Sequence, residues 1–196
     1  MINITSYRAV VFDLDNTVYN EIEYLTKVFE YISLKLKIEE VSSFLLDEFS
    51  KNGRNNLYQK LVKNFHLKNF TIHDFLNCYR NCPVEENEIK INPSIYGIIE
   101  ELYRNKRMIF ILTNGNIIQQ KNKIKSIDLP HKKFINIFYA SSKGKKFQKP
   151  NPFFINKILL KNSINYNEIL FIGDSQVDKQ TAINSNIDFK YIHEII

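Results

Sequence analysis

Two carboxylates one residue apart, Asp13 and Asp15, close an apolar run in the stretch VVFDLDNTVYN at residues 10–20. Side chains so placed repel each other, and at the end of a buried strand they are costly unless a cation or donor compensates. A hard divalent ion shared between carboxylate oxygens meets that need. Three other segments put polar residues near the ends of apolar runs. Thr113, Asn114 and Gly115 follow residues 108–112, Lys149-Pro150 precedes a helical segment, and Gly173, Asp174, Ser175 and Asp178 follow residues 168–172. Taken singly, Thr17, Thr113 and Lys149 read equally well as cap, turn and solvated residues. Asp178 alone reads as a helix-terminal carboxylate. The Asp13–Asp15 pair has no such ordinary reading.

These groups need elements to bring them together. Apolar strand-like runs at residues 9–14, 108–112, 134–140, 168–172 and 189–192 alternate with helical periodicity at 94–105, 117–126, 152–161 and 177–185. Such alternation implies a parallel sheet covered on both faces, an α/β, Rossmann-like, doubly wound fold. In sheets of this kind functional groups gather at the carboxyl ends of the strands, where all four polar segments fall. Residues 21–89 hold no comparable strand. Tyr24, Val28, Tyr31, Ile32 and Leu36 recur at helical spacing, as do Leu57, Leu61 and Phe65, with breaks at residues 51–53 and 68–70. Thr71 ahead of Asp74 marks a helix start. The expected organisation is a core of residues 1–17 and 91–196 with an inserted α-helical cap, residues 18–90.

The chain has 196 residues, 44% hydrophobic and 24% charged, the composition of a globular domain. Its apolar runs are strand-sized and its N-terminal stretch lacks a signal-peptide pattern, so a cytoplasmic protein without membrane contact is expected. Cys78 and Cys82, in a stretch that reads as helical, make neither a metal quartet nor a disulfide framework. They read as buried thiols. The net charge of +6 suits attraction of anionic metabolites. The lysine runs at 121–125, 131–133 and 143–149 read mostly as solvated faces, and no nucleic-acid-binding signature accompanies them, so nucleic acid is not an expected partner.

The four motifs, in this order, resemble those of the haloacid dehalogenase (HAD) superfamily, and specifically its phosphatase branch with a helical C1-type cap. Asp13-Leu14-Asp15-Asn16-Thr17 matches Asp-x-Asp-x-Thr. Thr113 matches the strand-end hydroxyl, Lys149 the lone lysine, and Gly173-Asp174 through Asp178 matches Gly-Asp-x-x-x-Asp. The resemblance covers residues 8–17 and 92–192, and the cap only in placement and helical character.

That resemblance implies a Mg²⁺-dependent phosphatase acting on a small phosphorylated metabolite, such as a sugar or polyol phosphate. Asp13 would be the nucleophile and form an aspartyl-phosphate. Asp15 would be the general acid and base, able to hold a proton because its neighbours are carboxylates. Asp13, Asp174 and the Asp15 main-chain carbonyl would bind the metal. Thr113, Asn114 and Lys149 would hold the transferring phosphoryl group, with Lys149 offsetting its charge. Asp178 would orient Lys149 or a metal-bound water, and Thr17 would fix the loop by hydrogen bonding. Arg54, with Asn55, Asn56 and Tyr58, could reach the leaving group from the cap. Nucleotide phosphatases and phosphomutases share the motifs, while Asp15 argues against the dehalogenase branch. A phosphonate hydrolase would need a Schiff-base lysine from the cap, with Lys27, Lys35, Lys37, Lys51 and Lys60 as candidates. A nucleic-acid-binding or scaffolding relative is the non-enzyme alternative, and monomer and homodimer both remain open.

Overall fold

The computed structural model describes residues 3–195. Its five strands form one parallel sheet in the order β3-β2-β1-β4-β5: β1 Ala9–Phe12, β2 Met108–Thr113, β3 Ile135–Tyr139, β4 Ile169–Gly173 and β5 Asp188–Tyr191. The register is continuous across the centre, where Val11 lies between Phe110 and Phe171. Every residue of β1 and β4 is buried, as expected of strands covered on both faces.

Alternation along these strands feeds two separate cores. Val10, Phe12, Ile109, Ile111, Leu170 and Ile172 point to one face. There they meet α5 (Pro93–Arg104) and α6 (Ile117–Ser126) through Ile95, Ile99, Leu102 and Ile124. Ala9, Val11, Phe110, Leu112 and Phe171 point to the other. That side is covered by α7 (Phe153–Asn162) and α8 (Gln176–Asn184) through Phe154, Ile155, Ile158 and Ala182. The sheet is thus wound on both faces, with β1 at the point where the chain's strand order reverses.

Between β1 and α5 lie four helices: α1 Glu21–Leu36, α2 Glu40–Asn52, α3 Leu57–Asn64 and α4 Ile72–Asn81. They form the helical cap. The chain enters and leaves it side by side, since Asn92 N–H donates to the Val18 carbonyl at 2.9 Å. Tyr24, Val28 and Ile32 of α1 are fully buried, as their spacing predicts. The Thr71–Asp74 pair forms a reciprocal capping box. The break at 68–70 falls between α3 and α4, whereas Lys51 and Asn52 still belong to α2 and only Gly53 lies beyond it; a third break, after Leu36, carries no such sequence signal. It is made by Lys37 in the left-handed region (φ 56°), a position where glycine would have been the visible mark.

Two boundaries differ from the sequence reading in ways that matter. The first strand stops at Phe12, because Asn16 is left-handed (φ 57°) and Val18 N–H bonds the Leu14 carbonyl at 3.0 Å, turning the chain under Asp13. Helix α4 ends at Asn81, so Cys78 is helical and Cys82 lies just beyond it; both are buried free thiols. No described helix is long and apolar enough to cross a membrane.

Candidate active site

The loops after β1 and β4 meet at the sheet's switch point, where Asp13 N–H donates to the Ile172 carbonyl at 2.9 Å. Carboxylate oxygens of Asp13, Asp174 and Asp178 lie within 4.8 Å of one another. Lys149 enters from the segment between β3 and α7: its ammonium donates to Asp13 Oδ1 and, at 2.6 Å, to Asp178 Oδ1. Asp13, Lys149 and Asp178 are buried, Asp178 completely, while Asp174 is half-buried.

Asp178 also serves the helix it belongs to. Its Oδ2 accepts from Ser175 N–H (3.2 Å) and Ser175 hydroxyl (2.5 Å), closing the capping box of α8. Asp178 therefore both caps α8 and contacts Lys149. Gly173 makes this possible, since a Cβ there would stand 2.6 Å from the Asp178 Cβ and 2.7 Å from its Oδ2. Gly173→Ala is expected to cost about 2 kcal/mol, the range for overpacking a filled site, and to lower any activity that depends on Lys149. Denaturant midpoints check it; an unchanged midpoint would show that Asp178 has room to move.

Asn114 positions Lys149 by its side chain. The Asn114 amide donates to the Lys149 carbonyl at 3.0 Å, and its Oδ1 accepts from Lys149 N–H at 2.9 Å. Thr113 Oγ1 accepts from Gln120 Nε2 at 2.5 Å and donates to the Asn114 carbonyl at 3.2 Å. The expected loop-fixing bond from Thr17 is not made: its hydroxyl is fully buried and has no partner among the described residues. Asn16 does that work instead, its Oδ1 accepting from Glu21 N–H at 3.0 Å.

The surroundings of Asp15 correct a second expectation. Its neighbours are donors, not carboxylates: Tyr19 hydroxyl and Lys123 Nζ each bond Oδ1 at 2.7 Å, and Gln120 Nε2 bonds Oδ2 at 3.1 Å. Burial alone would raise its pKa, but the Lys123 ammonium together with the Tyr19 and Gln120 bonds outweighs burial and holds Asp15 below its ordinary value. Asp13 goes the other way, to about 7, driven first by burial and then by Asp178 and Asp15 against the pull of Lys149. Asp174 is also raised, by burial and by Asp178. The pKa values of two carboxylates two positions apart are thus shifted in opposite directions, the pattern by which one site divides roles between acids.

Lys123 and Glu21 are the residues that sequence reasoning missed. The lysine run around Lys123 reads as solvated, yet its side chain is only 2% exposed, and it also donates to Glu21 Oε1 at 2.6 Å. Glu21 in turn accepts from Arg54 Nη2 at 2.6 Å. The available signal is periodicity: Gln120, Lys123 and Ile124 occupy one buried stripe of α6, and Glu21, Tyr24, Leu25 and Val28 one of α1. The cap lysines are engaged elsewhere. Lys27, Lys51 and Lys60 pair with Glu88, Asp47 and Glu48, Lys35 lies over Tyr31, and Lys37 ends α1; none contacts Asp13 or Asp15.

The donor set fits a hard divalent cation. Asp13 and Asp174 offer oxygens at bridging range, and one lysine stands against three clustered carboxylates, which leaves negative charge uncompensated. A cleft of about 380 Å³ opens between the cap and the start of α6. Arg54, Arg80, Phe75 and Tyr79 line it from the cap, and Asn116 and Gln119 from the start of α6. Asp13, Asp15 and Asp174 are not in its wall; Arg54 links the two regions through Glu21 and Lys123.

Comparison with known proteins agrees with this architecture. Solved structures similar to the chain include the HAD-hydrolase YfnB from Bacillus subtilis bound to magnesium, 18% identical with a TM-score of 0.66, over 93% of this chain and 87% of that one. A HAD-superfamily hydrolase from Ehrlichia chaffeensis is 22% identical with a TM-score of 0.57, over 97% and 94%. A mutant of CbbY from Rhodobacter sphaeroides, in complex with xylulose-(1,5)bisphosphate, is 14% identical with a TM-score of 0.57, over 94% and 85%. No curated protein matches the sequence. The family model for haloacid dehalogenase-like hydrolases matches residues 10–192, which contain Asp13, the cap helices, Lys149 and Asp174, and the chain belongs to that family.

Proposed function

We propose that the protein is a magnesium-dependent phosphatase that hydrolyses a small phosphate monoester through an aspartyl-phosphate on Asp13. The observation that carries the reading is the pairing of two unlike carboxylates: Asp13 against Lys149 in the acidic cluster, and Asp15 among three donors two residues away. A dehalogenase has no use for the second.

Asp13, Asp174 and the Asp15 main-chain carbonyl would hold Mg²⁺, which offsets the repulsion between a carboxylate nucleophile and a phosphate dianion. Asp13 attacks phosphorus as the bond from phosphorus to the ester oxygen breaks, and the departing oxygen takes the proton that Asp15 carries over from the hydrolytic half of the preceding turnover. Lys149, fixed by Asp178 and by the Asn114 clamp, neutralises charge on the phosphoryl oxygens and on Asp13. Thr113 and the Asn114 main-chain amide, at the end of β2, would receive those oxygens once the Thr113 hydroxyl turns from the Asn114 carbonyl. Asp15, held as a carboxylate in this structure, is ready to take a proton from the water that releases phosphate.

The cleft supports a small, soluble leaving group, with Arg54 and Arg80 facing an anionic or hydroxylated portion. The sugar bisphosphate held by CbbY is of that chemical class. A nucleoside monophosphate is the second reading, favoured by the aromatic wall of Phe75 and Tyr79. A panel of phosphorylated metabolites ranked by kcat/KM separates the two. The class itself is tested with p-nitrophenyl phosphate: phosphate release requires Mg²⁺, falls about 100-fold or more on chelation, and returns when the ion is restored. Turnover that survives chelation would refute the proposal.

A further inference from the structure

Four charged side chains form one alternating chain across the cap–core junction: Arg54, Glu21, Lys123 and Asp15. Lys123 is its hub. Two of its three ammonium donors are spent on Asp15 Oδ1 (2.7 Å) and Glu21 Oε1 (2.6 Å), and the ammonium stands 5.5 Å from the centre of the Tyr24 ring. A buried lysine costs several kcal/mol of desolvation unless its partners are well placed, and here both are. Its position cannot be explained by helix stability, because it occupies the apolar stripe of α6 between Gln120 and Ile124.

We propose that Lys123 is a positioning residue for the second half of the reaction: it fixes the Asp15 carboxylate as the acceptor of a proton from the hydrolytic water. This rests on the phosphatase reading above. In that step the water oxygen bonds phosphorus as the bond from phosphorus to the Asp13 oxygen breaks. The Asp13 carboxylate is regenerated, the water proton passes to Asp15, and inorganic phosphate leaves. Lys123 touches neither phosphorus nor water; it acts by holding Asp15, with Tyr19 and Gln120 completing the cradle. Glu21 anchors Lys123 from the first turn of α1 and takes Arg54 on the same oxygen, Oε1. The proton acceptor is thereby tied to a residue that lines the leaving-group cleft.

The test uses the full-length protein with Mg²⁺ and p-nitrophenyl phosphate. Lys123→Met is expected to lower kcat about 30-fold or more while kcat/KM falls only a few-fold, so that KM drops. A burst of p-nitrophenol should appear, and intact-mass measurement of acid-quenched protein should show a phosphorylated chain that the wild type does not accumulate. Lys123→Arg should restore much of kcat. The double variant Glu21→Gln with Lys123→Met keeps the buried charges balanced, and it carries the same expectation if the single variant fails to fold. Proportional loss of kcat and kcat/KM without a phosphorylated chain would overturn the role of Lys123 and leave the phosphatase standing. A wild type that neither releases p-nitrophenol nor becomes phosphorylated would overturn the phosphatase reading, and this inference with it.

Discussion

Asp13→Asn is expected to remove turnover, with kcat falling about 1,000-fold or more, while the protein stays folded. Asparagine keeps the shape of the side chain and an oxygen that can still accept from Lys149, so the packing around β1 and β4 has no reason to change. What it loses is the oxygen anion that the proposed mechanism uses as nucleophile. The wild-type carboxyl is pushed up to about 7, chiefly by burial, so its charge is held in place at a cost. Deleting that charge should leave the denaturation midpoint unchanged or slightly raised. Loss of activity with retained stability is the signature of a group present for chemistry. The measurements are turnover of p-nitrophenyl phosphate, absence of a phosphorylated chain by intact mass, and a denaturation curve. Retention of more than about a tenth of the activity would remove Asp13 from the nucleophile's role.

Why Asp13, Thr113, Lys149 and Asp174 are legible in the sequence, and Lys123 is not, follows from where each sits. The first set lies at the last residue of β2 and in the loops behind β1, β3 and β4, and a parallel sheet delivers such positions to one edge whatever their separation along the chain. Strand-like runs are therefore enough to predict that they converge. Lys123 lies within a helix, in the run KNKIK, where its neighbours Lys121 and Lys125 are exposed and it is not. Only the registry of α6 against the cap decides that. The same holds for Glu21, whose partner is 102 residues away. Two opposite charges on the apolar stripes of two helices are nevertheless a readable sign that the helices face each other. The state of Asp15 is hidden for the same reason, since its donors come from α6 and the cap entrance and not from the motifs. In the cap, the turn at Lys37 has no glycine or proline to mark it.

The second large effect is expected at Lys149, where stability and catalysis should separate under mutation. Lys149→Met leaves Asp13 and Asp178 buried without their shared cation, and breaking a buried pair in this way costs about 3–5 kcal/mol. On the proposed phosphatase function it also removes the charge that would face the phosphoryl group, an expected loss of about 100-fold or more in kcat/KM. The stability loss is a matter of charge count, one lysine having served two carboxylates. Adding Asp178→Asn to Lys149→Met removes one of those carboxylates and keeps an oxygen for the Ser175 cap, so part of the denaturation midpoint should return. Activity should not return with it, because no cation has been restored beside Asp13. If the double variant recovered both together, Lys149 would be no more than a counter-charge for its neighbours. If it recovered stability alone, the ammonium that bridges the loops after β1 and β4 would be shown to act on the substrate as well as on the fold.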